Sequence, residues 1–216
     1  MRTLIHAVVL LFCVCLCGCE TTGAQRENGI SANSKIVYVH SYSKFSFPKQ
    51  IEQFRFDHQV NYDSEGKDIS VGYNSSTPIA ATVYIYPAAK NFSLLPAPPL
   101  NQVTESLIAR EFELRKSEIS KSHPDARLIS EHSFGIVQDD NHFNGKKATF
   151  SMQYKFGSFP TDSQSELYIF LIEPGTMFLT NDRQYVEYRI TYPAALKDQS
   201  QREINSFLSE LTWPVK

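Results

Sequence analysis

The chain has 216 residues, enough for one domain with a sizeable buried core. Its 21 basic and 23 acidic residues leave a net charge of −2, with none of the clustered basic surface that nucleic acid requires. No polybasic stretch is present to hold anionic lipid headgroups. Fifteen Phe and eleven Tyr recur in alternating segments, a composition that points to sheet.

The amino-terminal stretch has the grammar of an export leader. Arg2 gives a positive start, Ala7 to Leu16 is apolar, and Leu16-Cys17-Gly18-Cys19 follows. The apolar run is shorter than the roughly 20 residues a bilayer-spanning helix needs. All four cysteines, Cys13, Cys15, Cys17 and Cys19, fall here. Alternating thiols can bind soft metals, but in an inserted apolar segment they are expected to serve as small hydrophobes. The rest of the chain then has neither thiol nor disulfide and must be held by its core.

Leu16-Cys17-Gly18-Cys19 resembles the lipobox of bacterial lipoproteins, departing from it at Cys17, where the family usually has Ala, Ser, Thr or Val. The resemblance implies cleavage before Cys19, a diacylglycerol on its sulfur and a fatty acyl group such as palmitate on its amine. Residues 1–18 would be the signal peptide, and the domain would face the periplasm from a lipid anchor. Glu20, which is not the aspartate of inner-membrane retention, implies a preference for the outer membrane. An ordinary secretory signal, leaving a soluble protein, is the other reading. Residues 19–34 combine the lipidated cysteine with a polar, aperiodic tether, whose typical end-to-end distance is about 20 Å and whose taut length is about 50 Å.

The domain, residues 35–216, opens with strand candidates. Ile36 to Ser41 is the first. In Phe54 to Tyr62, alternation places Phe54, Phe56, His58, Val60 and Tyr62 on one face. After a turn at Ser64-Glu65-Gly66-Lys67, Ile69, Val71 and Tyr73 line a third strand. Ile79, Ala81, Val83 and Ile85 line a fourth, with Tyr84 and Tyr86 behind them. Links this short predict an antiparallel meander. Pro96, Pro98 and Pro99 mark an extended connector. A helix is expected over Asn101 to Ser122, with Val103, Leu107, Ile108, Phe112, Leu114 and Ile119 inward and Glu105, Arg110, Glu113, Arg115 and Lys116 outward. His123-Pro124 ends it.

Ala126 to Val137 is the next strand candidate, and Asp139 to Gly145 reads as a polar hairpin loop. Its acids are loosely calcium-loop-like but lack the bidentate acid at the twelfth position. The return strand puts Ala148, Phe150, Met152, Tyr154 and Phe156 inward. Leu167 to Ile172 is apolar on both faces and belongs in mid-sheet. Tyr185 to Tyr192 sets Val186, Tyr188 and Ile190 opposite Glu187, Arg189 and Thr191. A final helix carries Ile204, Phe207, Leu208 and Leu211 at helical spacing, capped by a Ser200/Glu203 box or by Asp198.

These elements compose an α+β domain: a single antiparallel sheet of about seven to nine strands covered by two main helices. The order resembles the PsbP-like sandwich, most closely in Ala81 to Tyr86 and in Val186 to Trp213. That resemblance implies an accessory role in binding or assembly. No hydrolase elbow, phosphate loop, zinc-protease helix or dinucleotide fingerprint is present, so no cofactor or catalytic residue is assigned. His58 and His132 are the candidates for a metal site, against the plainer expectation of histidines satisfied by hydrogen bonds. Tyr73, Tyr84 and Tyr86 could form an exposed aromatic surface, although covering by a helix or neighbouring strands is the better expectation. The function expected is a non-enzymatic binding or assembly accessory of the envelope, with an envelope protein as partner. The alternative is a hydrolase or small-ligand binder with a pocket between sheet and helix.

Overall fold

The computed structural model describes residues 35–88, 100–173 and 183–214. The leader with Cys19, the tether and the connector prolines lie outside them. Among the described residues no helix is long and apolar enough to cross a membrane.

Two antiparallel meanders make one sheet. Strands β1 (Ile36–Val39) and β2 (Ser46–Pro48) first pair as a separate ribbon. Strands β3 (Gln50–Ile51), β4 (Phe54–Asn61), β5 (Ile69–Ser75) and β6 (Ala80–Pro87) form the first meander. Helix α1 (Leu100–Ser122) then carries the chain to the far edge of the sheet. There β7 (Arg127–Gln138), β8 (Asn141–Phe156), β9 (Phe159–Ile172) and β10 (Gln184–Pro193) form the second meander. Its last strand lies against β6, giving the order β3-β4-β5-β6-β10-β9-β8-β7. A single 3-10 turn, Ala194–Leu196, leads into α2 (Lys197–Glu210).

Both faces are covered. On one, Ile204, Phe207 and Leu208 of α2, together with Trp213 and the β1–β2 ribbon, pack against Val71, Tyr73, Val83, Phe170 and Tyr188. On the other, Leu107, Ile108, Phe112 and Ile119 of α1 pack against Phe150, Leu167, Ile169 and Tyr185. This explains why β9 carries apolar residues at both parities and why nearly every residue of β10 is buried, the polar ones included. The α+β architecture, one large antiparallel sheet covered by two helices, agrees with the sequence reading; the small β1–β2 sheet is an addition to the single sheet expected.

Local departures have physical causes. The alternation in β4 is broken by a register shift between Phe56 and His58, a bulge that inserts one extra residue and reverses side-chain parity. Phe54 and Phe56 therefore keep to the α2 side, while His58, Val60 and Tyr62 turn to the other face. The expected loop Asp139 to Gly145 shrinks to Asp139-Asp140, with φ of 45° and 63°. Two left-handed residues suffice for a tight hairpin, and Asn141 to Gly145 join β8.

Leu114 is exposed, because it falls away from the stripe formed by Leu107, Ile108, Phe112 and Ile119. Arg115 and Lys116, expected in water, fold back into ion pairs. The capping box does not form: α2 starts at Lys197 without a side-chain cap, and Ser200 is buried inside it. Glu203 accepts hydrogen bonds from the Ser75 and Thr77 hydroxyls at 2.8 and 2.6 Å, tying α2 to the β5–β6 turn.

Phe207 is fully buried and its ring lies 4.5 Å from Phe54, 5.4 Å from Tyr73 and 6.2 Å from Tyr188. Phe207→Ala is expected to destabilise the domain by about 3–5 kcal/mol, measured by chemical denaturation.

Candidate functional site

The polar cleft between α1 and the sheet is assembled by central strand β10. Its Glu187 and Arg189 share one parity and so point together at α1. Glu187 is 1% exposed. Its carboxylate accepts a hydrogen bond from the Tyr86 hydroxyl at 2.9 Å, pairs with Arg189 Nε, and lies 3.3 Å from Arg115 Nε. Arg115 reaches down from α1 and also pairs with Glu111 at 2.8 Å and Glu118 at 2.9 Å. Arg189 reaches Glu118 at 3.3 Å.

Aromatic rings complete the arrangement. The Arg115 guanidinium lies 4.5 Å from the Tyr86 ring centre, and that of Arg189 lies 5.1 Å from Tyr84. Tyr62 stacks on Tyr84 at 6.4 Å. A cleft of about 300 Å³ opens among Tyr62, Asp68, Tyr84, Glu118 and Arg189.

Burial pushes Glu187 upward against the pull of Arg189 and Arg115. The Asp68 carboxyl is raised by burial and by the charge of Asp63. Glu118 feels burial too, yet the two arginines hold it below the usual carboxylate range. Burial and Glu187 drive the Tyr86 hydroxyl far above the usual phenol range. Each buried charge is thus answered by an opposite neighbour, which makes the cluster a lock between α1 and β10.

A second ion cluster occupies the other face. Lys147 of β8 pairs with Glu166 of β9 at 2.9 Å, and Glu166 accepts hydrogen bonds from the hydroxyls of Tyr192, at 2.9 Å, and Tyr168. Neither cluster was apparent from local motifs. The usable signal was a charged pair, Glu187 and Arg189, on a strand whose neighbours are apolar at both parities.

The histidine candidates are corrected by the structure. His58 is exposed beside Asp57, having been turned out by the β4 bulge. His132 is exposed on β7, on the opposite face. Six strand spacings separate β4 from β7, about 29 Å at 4.8 Å each, so the two cannot share an ion. Among the described residues there is no group of three metal-ligating side chains.

Among the described residues the buried histidine is His40, which the sequence reading did not single out. Its Nε2 donates to the Gly66 carbonyl at 2.8 Å, and Nδ1 accepts from the Ser43 hydroxyl at 2.6 Å. Burial lowers its pKa. Tyr73 and Tyr86 are buried and Tyr84 is half-covered, as the covering explanation expected. The Tyr73 hydroxyl donates to Pro48 O at 2.9 Å.

Glu187→Ala removes the fully buried one of the two carboxylates that Arg115 and Arg189 share, leaving them Glu118, and is expected to cost about 3–5 kcal/mol of stability by denaturant titration. His40 has a folded pKa below its unfolded value, so its contribution is present above about pH 6.5 and is lost as the pH falls further. The drop in melting temperature on mild acidification should therefore shrink in His40→Gln.

A scan against protein-family models gives no match, and a search of curated proteins gives no significant match. Among solved structures the chain is similar to the solution structure of cyanobacterial PsbP (CyanoP) from Synechocystis sp. PCC 6803. The identity is 12% and the TM-score 0.41, over 80% of this chain and 88% of that one.

Proposed function

We propose that the chain is a bacterial envelope lipoprotein, anchored through Cys19, whose domain binds an envelope protein at the open edge of its sheet. Strand β7 carries the reading. Among the described residues it pairs with β8 alone, and its outer edge is long. Leu128, Ile129 and Val137 along it are 49%, 52% and 52% exposed.

A register shift between Leu128 and Ser130 matters here. It brings Leu128 and Val137, nine positions apart, to the same face of the sheet, so the edge carries an apolar residue near each end. An extended segment could add there as a ninth strand, with main-chain bonds supplying affinity and the two apolar ends supplying register. Solvent-exposed edges are normally protected by charge, proline or a covering element. Here the covered part is the end of the strand, where Ile136 and Gln138 are buried and the Gln138 amide donates to Leu208 O and Leu211 O at 2.7 and 3.0 Å, while Arg127 to Ser133 are exposed.

The anchor reading rests on Arg2, the apolar run and Leu16-Cys17-Gly18-Cys19. Glu20 supports the outer membrane, with the domain on the periplasmic side. More than one acyl chain is needed for stable attachment, and lipoprotein processing supplies that. A second reading, a small ligand in the α1 cleft, draws on its tyrosine-lined mouth. It predicts a rise in melting temperature with the right ligand.

The test combines both parts. Cys19→Ser is expected to leave the chain unprocessed and to release it from lipid; normal trimming with continued lipid extraction would overturn the anchor. A photo-crosslinking residue placed at Ser130 or Ser133 in cells should capture one discrete neighbour. Leu128→Lys with Val137→Lys should abolish that adduct, and an unchanged adduct would remove β7 from the interface.

A further inference from the structure

The β8–β9 hairpin outruns the sheet that holds it. On one side β7 stops at Arg127, opposite Ser151; on the other β10 stops at Pro193, opposite Ser163. Four more pairs continue beyond: Gln153 with Asp162, Tyr154 with Thr161, Lys155 with Pro160, and Phe156 with Phe159. At about 3.3 Å per residue the projection is about 13 Å long. The tight turn at its end uses Gly157 at a φ of 79°. Its root is braced by the Asp125 carboxylate, which accepts the Gln153 N–H at 2.6 Å.

A two-stranded ribbon standing alone is marginal in water, and this one ends in aromatic rings. Phe159 is 79% exposed, the largest value among the exposed large hydrophobics of the described residues. Behind it the Tyr154 and Phe156 rings meet at 4.8 Å, tilted by 58°. From Tyr154 to Pro160 the segment has no carboxylate and one cation, Lys155, although the chain as a whole is net acidic. A bare Phe159 ring at the tip with two half-buried rings behind it, a flanking lysine and no acid suit the headgroup–acyl boundary of a bilayer.

The start of the described chain gives the same direction. Lys35 O accepts from Lys49 N, and Lys49 O from Phe56 N. Through the registers of β4, β5, β6, β10 and β9, Phe56 lies level with Glu166. Phe159 is seven residues farther along β9, about 23 Å ahead of that level. Fifteen residues lie between Cys19 and Lys35, and the sixteen steps from one to the other give a contour of at most about 55 Å. A lipid at Cys19 can therefore lie in the plane that the tip touches.

We infer that the Tyr154–Pro160 tip is a membrane-contacting finger, which inserts Phe159 and Phe156 into the lipid interface and sets the domain's orientation on the bilayer. The inference rests on the lipid-anchor reading and adds a second, protein-borne contact to it. Insertion is driven by burial of the rings, so it persists at high salt, where attraction of Lys155 alone would be screened.

The test uses the full processed chain carrying Phe159→Trp, reconstituted in vesicles of phosphatidylethanolamine and phosphatidylglycerol with brominated acyl chains. Trp213, the other tryptophan, is 4% exposed in the core and serves as a silent background. The new indole should shift to shorter wavelength and lose emission to bromine, equally in low and high salt. Flotation of the same vesicles reports the anchor separately. A chain that floats without blue shift or quenching overturns the finger and leaves the anchor standing. A chain that neither floats nor is quenched overturns both. Quenching that disappears at high salt also overturns the insertion of the rings. Absent quenching together with a protein adduct from a photo-crosslinker at 159 would assign the tip to a protein partner instead. Phe159→Asp touches no core residue, so its melting temperature should match that of the unaltered chain while contact of the tip with lipid is lost.

Discussion

The pairing of β6 with β10 is the constraint on which the molecule depends. Eight residue pairs, from Gln184 with Pro87 to Thr191 with Ala80, join two meanders that would otherwise be separate half-sheets. Each half alone would leave one face of its strands and one inner edge open to water. Joined, they place β10 where nearly every side chain is buried, Tyr188 against α2 and Glu187 against α1. The helices then have a continuous surface on each side. The ionic cluster around Glu187 and the aromatic cluster around Phe207 and Trp213 both follow from that central position.

Strand and helix periodicity was legible wherever one element met one environment. Leu107, Phe112 and Ile119 mark the buried stripe of α1, and Leu167 to Ile172 announces an interior strand by being apolar at every position. What could not be read was anything that breaks a period by one residue. The bulge beside Asp57 turns His58, Val60 and Tyr62 to the opposite face from Phe54, and no residue in the segment signals it. The same is true of the shift near Ile129 that brings Leu128 and Val137 to one face. Ser200 with Glu203 satisfies the spacing of a helix cap, yet the chain entered α2 through an earlier 3-10 turn, and the glutamate found hydroxyl donors on another element. Tertiary partners decide such positions.

The candidate sites divide along the same line. His58 was chosen by parity and lost its meaning when the bulge reversed that parity, and His132 lies exposed six strands away, whereas His40 became buried through a contact with Gly66, twenty-six residues away. Glu187 and Arg189 were visible as an outward-facing pair; only the position of β10 in mid-sheet turned outward into covered. The features open to a partner, β7 and the β8–β9 tip, are defined by where pairing stops, which depends on the lengths of neighbouring strands.

The order of the strands also has a temporal side. The last strand to be made is the one inserted between β6 and β9, and its partners on β6 are more than ninety positions earlier in the chain. Until about residue 193 is available, the first meander keeps an unmatched inner edge and neither helix has its full platform. Assembly that waits on such distant contacts is slow. A nascent or threaded chain of this design stays pliable through most of its synthesis and locks only at the end, an advantage for any polypeptide that must pass through a narrow opening before it takes its shape.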